Sequence, residues 1–593
     1  SLPPADERAA QRAIAGRHPQ LARPHRPPTR RARGSGCRSL QFRLNWQDVR
    51  CIAEWIIGGH RGFRMRFLIS ILAAIGVFPS APSLAASDDL WKRAETDHFV
   101  IYSPGEMEEL VDFARELEQF DGLLRFWFRK ASRNGTDKID IYLMDHSRQV
   151  ARLLDRRGVA GFYSPEAEGT YAVAHRGRAG MRSLDGQTAL FHEYAHHFMY
   201  NEFSLPIPAW LREGFAEFLA TTEFDDDGSW TYGKPASHRG IELRRFDDPQ
   251  IERLLSWPSK TDDRKKIIAG FYGWSWALTH MLYTDPDQGA RITAYIDRLA
   301  AGEQLLPAAE AVFGDLQALE NRLHRHVDRD IEFAVSTEPF SWSDEVDVSE
   351  LGADQSRMLE LRLRRRGGGD LADVRDDLVR FAEQDGVKAD AYAGLAMAEF
   401  ELEERERWEH KVKNKDDDGY RELGGPWFFA AEEAADKALA IDTNHVRANI
   451  AKGRILLHRL VEEERPTGHG DWKKARRYLQ IANKAAPDNT EALYRFAHSF
   501  TQEKREGQMM FDAYGAAFVR APQVGTFRIA LAYDLARQGR YDEGIALLQM
   551  LANDPHYPEA GQKAVERIET MRETGAKFPP ASTYGDEEED GRD

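Results

Sequence analysis

Between Asp88 and Val335, short runs of β-branched and aromatic residues alternate with stretches whose apolar residues recur every three or four positions. The runs His98–Tyr102, Lys138–Met144 and Thr170–Ala174 read as strands. Over Glu106–Lys130 the apolar residues Leu110, Phe113, Leu117, Phe120, Leu124 and Phe128 line one helical face, which predicts a helix packed on a sheet. Residues 88–335 are therefore expected to form an α+β domain, followed by a linker over 336–350.

From Leu351 to Thr574 the strand signal disappears and Ala- and Leu-rich helical segments follow one another across short turns. Pro487, Pro522 and Pro555 close similar helices at separations of 35 and 33 residues. That period and the block Phe527–Pro555, with Ala530-Leu531-Ala532-Tyr533, Gly539-Arg540-Tyr541-Asp542-Glu543 and Leu547-Leu548, resemble tetratricopeptide repeats. An earlier unit ending at Ala438–Asp442 fits the same pattern if Glu462–Asp471 is an inserted loop, and degenerate helices from Ser356 would begin the array. The resemblance implies an all-α tetratricopeptide-like solenoid over 351–575, whose concave face binds a peptide or a protein partner. Passive helical support is the competing role. The tail 576–593 is acidic and poor in apolar residues, as disordered segments are.

A chain of 593 residues exceeds what one hydrophobic core supports, in keeping with two domains. The net charge of −16 gives no electrostatic attraction to nucleic acid or to anionic lipid. The two cysteines, Cys37 and Cys51, both lie near the N-terminus, which excludes a disulfide scaffold and a thiolate-ligated metal in the body of the chain. Met65–Phe78 is a short apolar run with a basic start, and the small residues Ser83–Ser87 follow it, so 65–86 reads as a signal peptide. The run is too short to span a bilayer. An exported protein, periplasmic or secreted and without a stable membrane anchor, is expected. Residues 1–64 are rich in Arg and Pro, with neither Lys nor Met, and read as a non-native or disordered leader. A basic arm ahead of an anchoring helix is the alternative.

Candidate chemistry concentrates in Thr188–Met199, which holds His192-Glu193-Tyr194-Ala195-His196. Four residues are slightly more than one helical turn, so His192 and His196 project from one face and can offer two imidazoles to one ion. Glu193 then stands beside the metal without ligating it. His197 is turned about 100° away around the helix and reads as structural. Downstream, Pro208 opens a second helical stretch, Ala209-Trp210-Leu211-Arg212-Glu213-Gly214-Phe215-Ala216-Glu217-Phe218, with a buried stripe of Leu211, Phe215 and Phe218.

Together the two stretches resemble gluzincins of the peptidase MA clan, in which HExxH is followed by a helix reading W-L-x-E-G-x-A. The resemblance covers roughly Trp91–Val335. It implies a zincin-like fold, Zn2+ as cofactor, His192, His196 and Glu213 as its ligands, and Glu193 as the general base of peptide hydrolysis. Glu217, one turn beyond Glu213, is placed for a hydrogen bond to a ligand imidazole, a solvated helix charge being the plainer role. The family's Tyr or His donor to the developing oxyanion would be Tyr272, a packed core residue being the plainer role. By fold analogy, Thr170–Ala174 would be the sheet edge along which an extended substrate lies. No G-x-M-E-N segment precedes HExxH, so endopeptidase action on a peptide or protein is expected. An inactive peptidase-fold scaffold, whose repeats serve as a binding module, is the alternative.

Overall fold

The computed structural model describes residues 90–131, 138–153, 161–175, 186–203, 205–235, 237–257, 264–285, 288–383, 388–414, 428–554, 556 and 558–578. The leader, the signal-like segment, Pro555 and the tail from 579 onward lie outside the described residues.

Alternating apolar residues build the first sheet. Strands β1 (Lys92–Glu95), β2 (Phe99–Ser103), β3 (Ile139–Met144), β4 (Phe162–Glu166) and β5 (Gly169–His175) are joined by the late strand β9 (Asp347–Glu350) in the order β4-β5-β3-β2-β1-β9. The β2–β3 and β3–β5 pairs are parallel, and the β1–β2, β4–β5 and β1–β9 pairs are antiparallel. Because side chains alternate between faces, Phe99, Ile101, Ile139, Ile141 and Leu143 enter one core while Tyr142, Met144, Tyr171 and Val173 enter another. Helix α1 (Met107–Phe128) covers the first face with Leu110, Leu117, Phe120 and Leu124 buried; Phe113 and Phe128 are partly buried at its margin.

Helix α2 (Ser147–Leu153) follows β3. The remaining helices of this region are α3 (Gly186–Glu202), α4 (Ala209–Ala220), α5 (Ser237–Arg245), α6 (Ile251–Ser256), α7 (Arg264–Thr284), α8 (Gly289–Ala300), α9 (Leu305–Phe313) and α10 (Leu316–Val327). A small antiparallel sheet, β6 (Glu223–Phe224), β7 (Trp230–Tyr232) and β8 (Ala334–Ser336), closes one side. Helix α3 stacks Phe191 on Phe120 of α1, with ring centroids 4.0 Å apart.

Two expectations need correction. The stretch 336–350 is not wholly a linker: Ser336 ends β8, and β9 at its far end pairs with β1 along Lys92–Glu95, while 337–346 belong to no strand. All four side chains of β9 are exposed, so no hydrophobic alternation announced it; its backbone satisfies the outer edge of β1. Thr170–Ala174 is likewise not an edge. Strand β5 lies between β3 and β4, and β4 forms the sheet's margin, because the turn before Gly169 folds 162–166 back antiparallel onto it.

The all-α region contains α11 (Ala353–Arg366), α12 (Leu371–Ala382), α13 (Lys388–Asn414), α14 (Phe429–Ile441), α15 (Val446–Glu462), α16 (Gly470–Ala485), α17 (Thr490–Gln502), α18 (Gln508–Arg520), α19 (Gly525–Arg537), α20 (Tyr541–Ala552) and α21 (Pro558–Thr574). Each of these helices packs on its neighbour in sequence. Small residues permit close approach: a Cβ at Gly453 would stand 2.8 Å from the Leu479 side chain. Helix α11 closes the second face of the sheet, with Leu359 and Leu363 joining Trp91, Tyr142 and Tyr171. Its Arg362, Arg365 and Arg366 pair with Glu166 and Glu168 beside β4 and β5.

Candidate metal centre

Helix α3 carries His192 and His196 on one face, and α4 brings Glu213 against them. Nε2 of His192 and Nε2 of His196 are 3.1 Å apart, and each lies 3.4 Å from an oxygen of Glu213. His192 faces Oε2 and His196 faces Oε1, so the carboxylate spans the pair, and each contact is close to the about 3.3 Å that separates donor atoms on a tetrahedral zinc ion holding ligands at about 2.05 Å. Glu213 is fully buried, and among the described residues neither of its oxygens accepts a hydrogen bond of regular geometry. What faces them is imidazole nitrogen. A buried carboxylate in that position calls for a cation, and the donor set fits zinc.

Burial opposes the ionised form of Glu213, but His196, His192 and His556 outweigh it and hold its pKa well below the carboxylate range. For His192, burial favours the neutral ring, yet Glu213 and Glu217 raise its pKa on balance. Glu217 sits one turn along α4, almost wholly buried, with Oε1 3.3 Å from Nδ1 of His192. It also pairs with Arg239 of α5, which in turn donates to Glu242 at 3.0 Å. A carboxylate on the outer nitrogen of a ligand histidine fixes which nitrogen faces the metal.

Local sequence explains how α4 reaches its place. Trp210 is fully buried beside Tyr295, and Gly214 lies against α7. A Cβ at Gly214 would stand 2.1 Å from Thr279 Oγ1 and 2.2 Å from the Ser275 carbonyl. Only glycine lets α4 and α7 approach this closely, and Glu213 is its neighbour in sequence.

Glu193 follows His192 on α3 and is half-buried, and its charge is among those felt by His192, Tyr163 and Tyr272. Tyr272, on α7, has its hydroxyl 3.3 Å from Nδ1 of His556 and its ring under the Arg239 guanidinium. Burial, then the Glu213 charge, raise its pKa, so the hydroxyl keeps its proton. His197 is buried away from the candidate ligands, its Nδ1 2.8 Å from the Tyr163 hydroxyl, and burial lowers its pKa to about 3.

Several participants were not anticipated from the sequence. His556, just before α21, places Nε2 3.1 Å from Glu213 Oε1. Asp554 accepts from the Tyr200 hydroxyl and pairs with Arg212 at 3.3 Å. Nothing in the motif-bearing stretches points to residues so distant in the chain; a histidine in a turn between helices is the one faint signal.

A second group, His98, Glu118 and Asp121, also clusters closely enough to hold a metal. It already has its counter-charges: His98 Nδ1 bonds Glu118 at 2.8 Å, while Asp121 accepts from Arg125 and from the Tyr194 hydroxyl, both at 2.6 Å. These contacts tie β2, α1 and α3 together.

No family model, no curated protein and no solved structure matches the chain. Among the described residues, no helix is long and apolar enough to cross a membrane.

Proposed function

We propose that the chain is a zinc-dependent endopeptidase of the gluzincin type, with a tetratricopeptide-like array that engages its peptide or protein substrate or a partner protein. The observation that carries this reading is the cluster of His192, His196 and buried Glu213, whose donor atoms lie close enough together to hold one ion. Bound there, zinc would supply a Lewis acid that lowers the pKa of water and polarises a carbonyl oxygen.

The chain's own residues have separate tasks. Glu193 takes the proton of the attacking water and delivers it to the leaving amine nitrogen. Glu217, steadied by Arg239, orients the His192 ring through Nδ1. Tyr272, kept protonated, is the candidate donor to the oxygen that gains negative charge as the carbonyl is attacked.

The test is to express the full chain as wild type and as Glu193→Gln, then measure bound zinc and hydrolysis of an unfolded protein substrate. The reading requires about one zinc per chain in both and cleavage by the wild type alone. Zinc binding without cleavage in either protein would favour a scaffold, and a wild type without zinc would remove the metal assignment.

A further inference from the structure

The all-α region is docked directly over the candidate metal centre, and one of the residues that dock it, Arg212, adjoins a ligand in sequence. Arg212 precedes Glu213 on α4 and is fully buried. Its guanidinium donates to the Tyr200 hydroxyl at 2.7 Å, to the Met550 carbonyl of α20 at 2.9 Å and to Asp554 at 3.3 Å. Arg528 of α19, also buried, reaches the Tyr200 carbonyl at 3.3 Å, and Gln523 donates to Thr170 Oγ1 at 2.7 Å. Buried arginines bonded to main-chain carbonyls of both regions make a fixed joint rather than a lid.

That joint delivers His556. Asp554 Oδ1 accepts from the His556 amide at 2.9 Å, fixing the turn, and the imidazole bridges two residues of the site. Nε2 contacts Glu213 Oε1 at 3.1 Å, while Nδ1 meets the Tyr272 hydroxyl at 3.3 Å. The compact set of ligand atoms comprises His192, His196 and Glu213 without His556. Its polar contact with the set is to the Glu213 carboxylate, and its ring stands edge-on to the His196 ring with centroids 6.3 Å apart.

We infer that His556, supplied by the helical array, is a positioning residue that holds Glu213 in ligating orientation and Tyr272 beside it, so that the metal centre is complete only when the array is docked. The inference rests on the metal-centre reading above. A ligating carboxylate has one oxygen to spare for an orienting partner, and removal of such partners lowers metal affinity about 10- to 100-fold. The array is then a structural part of the site in addition to any binding role of its concave face.

The test uses the full chain as wild type, His556→Ala, His556→Gln and Asp554→Ala, with zinc affinity measured by chelator competition and the visible spectrum of the Co2+-loaded protein recorded. His556→Ala is expected to weaken zinc binding about 10- to 100-fold. Asp554→Ala should weaken it in the same direction, by freeing the turn. His556→Gln, whose side-chain amide offers a donor to Glu213 in the same place, should recover most of the loss. The cobalt spectrum should keep its band positions in His556→Ala, because the ligand set is unchanged. Unchanged zinc affinity in His556→Ala would overturn the inference while leaving the metal centre intact. A shifted cobalt spectrum would overturn it differently, making His556 a ligand. If the wild type bound no metal, the inference would fall together with the reading beneath it.

Discussion

Replacing Arg212 by Met keeps the aliphatic stem that packs in the interface and removes only the guanidinium. In the wild type that group donates to Tyr200, to the Ile207 and Met550 carbonyls and to Asp554, and stacks over the Tyr200 ring 5.0 Å from its centroid. Removing one partner of a buried charge pair costs about 3–5 kcal/mol. The Asp554 side chain is 16% exposed, so water compensates part of its loss and the lower end applies, about 3 kcal/mol. Helices α19 and α20 meet the first region through this cluster and α21 packs on both, so the loss should appear as faster amide exchange over 541–574 at native conditions, where local opening is read directly. A cycle with Asp554→Asn isolates the pair, with an expected coupling of about 1–3 kcal/mol. If the two losses add within about 0.5 kcal/mol, the residues do not act as a unit, and the account of docking is refuted.

Gly214→Ala should cost at least 1–3 kcal/mol, because the clash is with Ser275 backbone and cannot be relieved by a rotamer change; urea unfolding and a weaker zinc site would show it, and a neutral result would mean that α4 and α7 are not packed as described. Glu217→Ala should lower zinc affinity about 10- to 100-fold by releasing the His192 ring, and equal affinities would reduce Glu217 to a partner of Arg239. Acidification should weaken the fold through His280. Its Nε2–H donates to the Gly233 and Glu332 carbonyls, both at 3.1 Å, leaving Nδ1 as acceptor from His326 at 2.9 Å, and burial and His326 lower its pKa to about 4. With the folded pKa below the unfolded value, this contribution is present above about pH 6.5 and lost as pH falls toward 4; by pH 5 the loss is about 2 kcal/mol. His98 acts in the opposite sense. Burial lowers its pKa but Glu118 and Asp121 raise it on balance, so its contribution is present below about pH 6.5 and fades above the folded value. Urea midpoints of wild type and His280→Asn across pH 5–7 separate the two: the wild type should fall more steeply toward acid pH, while His326, which burial and Arg329 also hold at about 4, contributes a slope of the same sign in both.

Local periodicity made much of the architecture legible. Strands β2, β3 and β5, the amphipathic α1, the HExxH helix, the helix opened by Pro208 and the change to an all-helical region follow from spacings of two and of three to four residues, which record the face an element buries. The approach of His192 to His196 is set within one helix turn. The third corner, Glu213, came from a motif resemblance, and its distance from the histidines depends on how α4 packs.

Elsewhere the determining forces are not local. Strand β9 has no buried side chain, and its place comes from main-chain hydrogen bonding to β1, which leaves no mark in hydropathy. The margin of the sheet was assigned to the wrong strand because neighbour order is a property of pairing rather than of composition. No sequence motif marks Arg212; that it is buried against Asp554, 342 residues away, is decided by docking of the helical region. His556 reaches Glu213 for the same reason. The sequence alone determined which residue types were available and which elements they form, because those choices are settled by neighbours within a few positions. Tertiary structure decided which distant charges meet in a buried place, because only packing excludes the water that would otherwise solvate them.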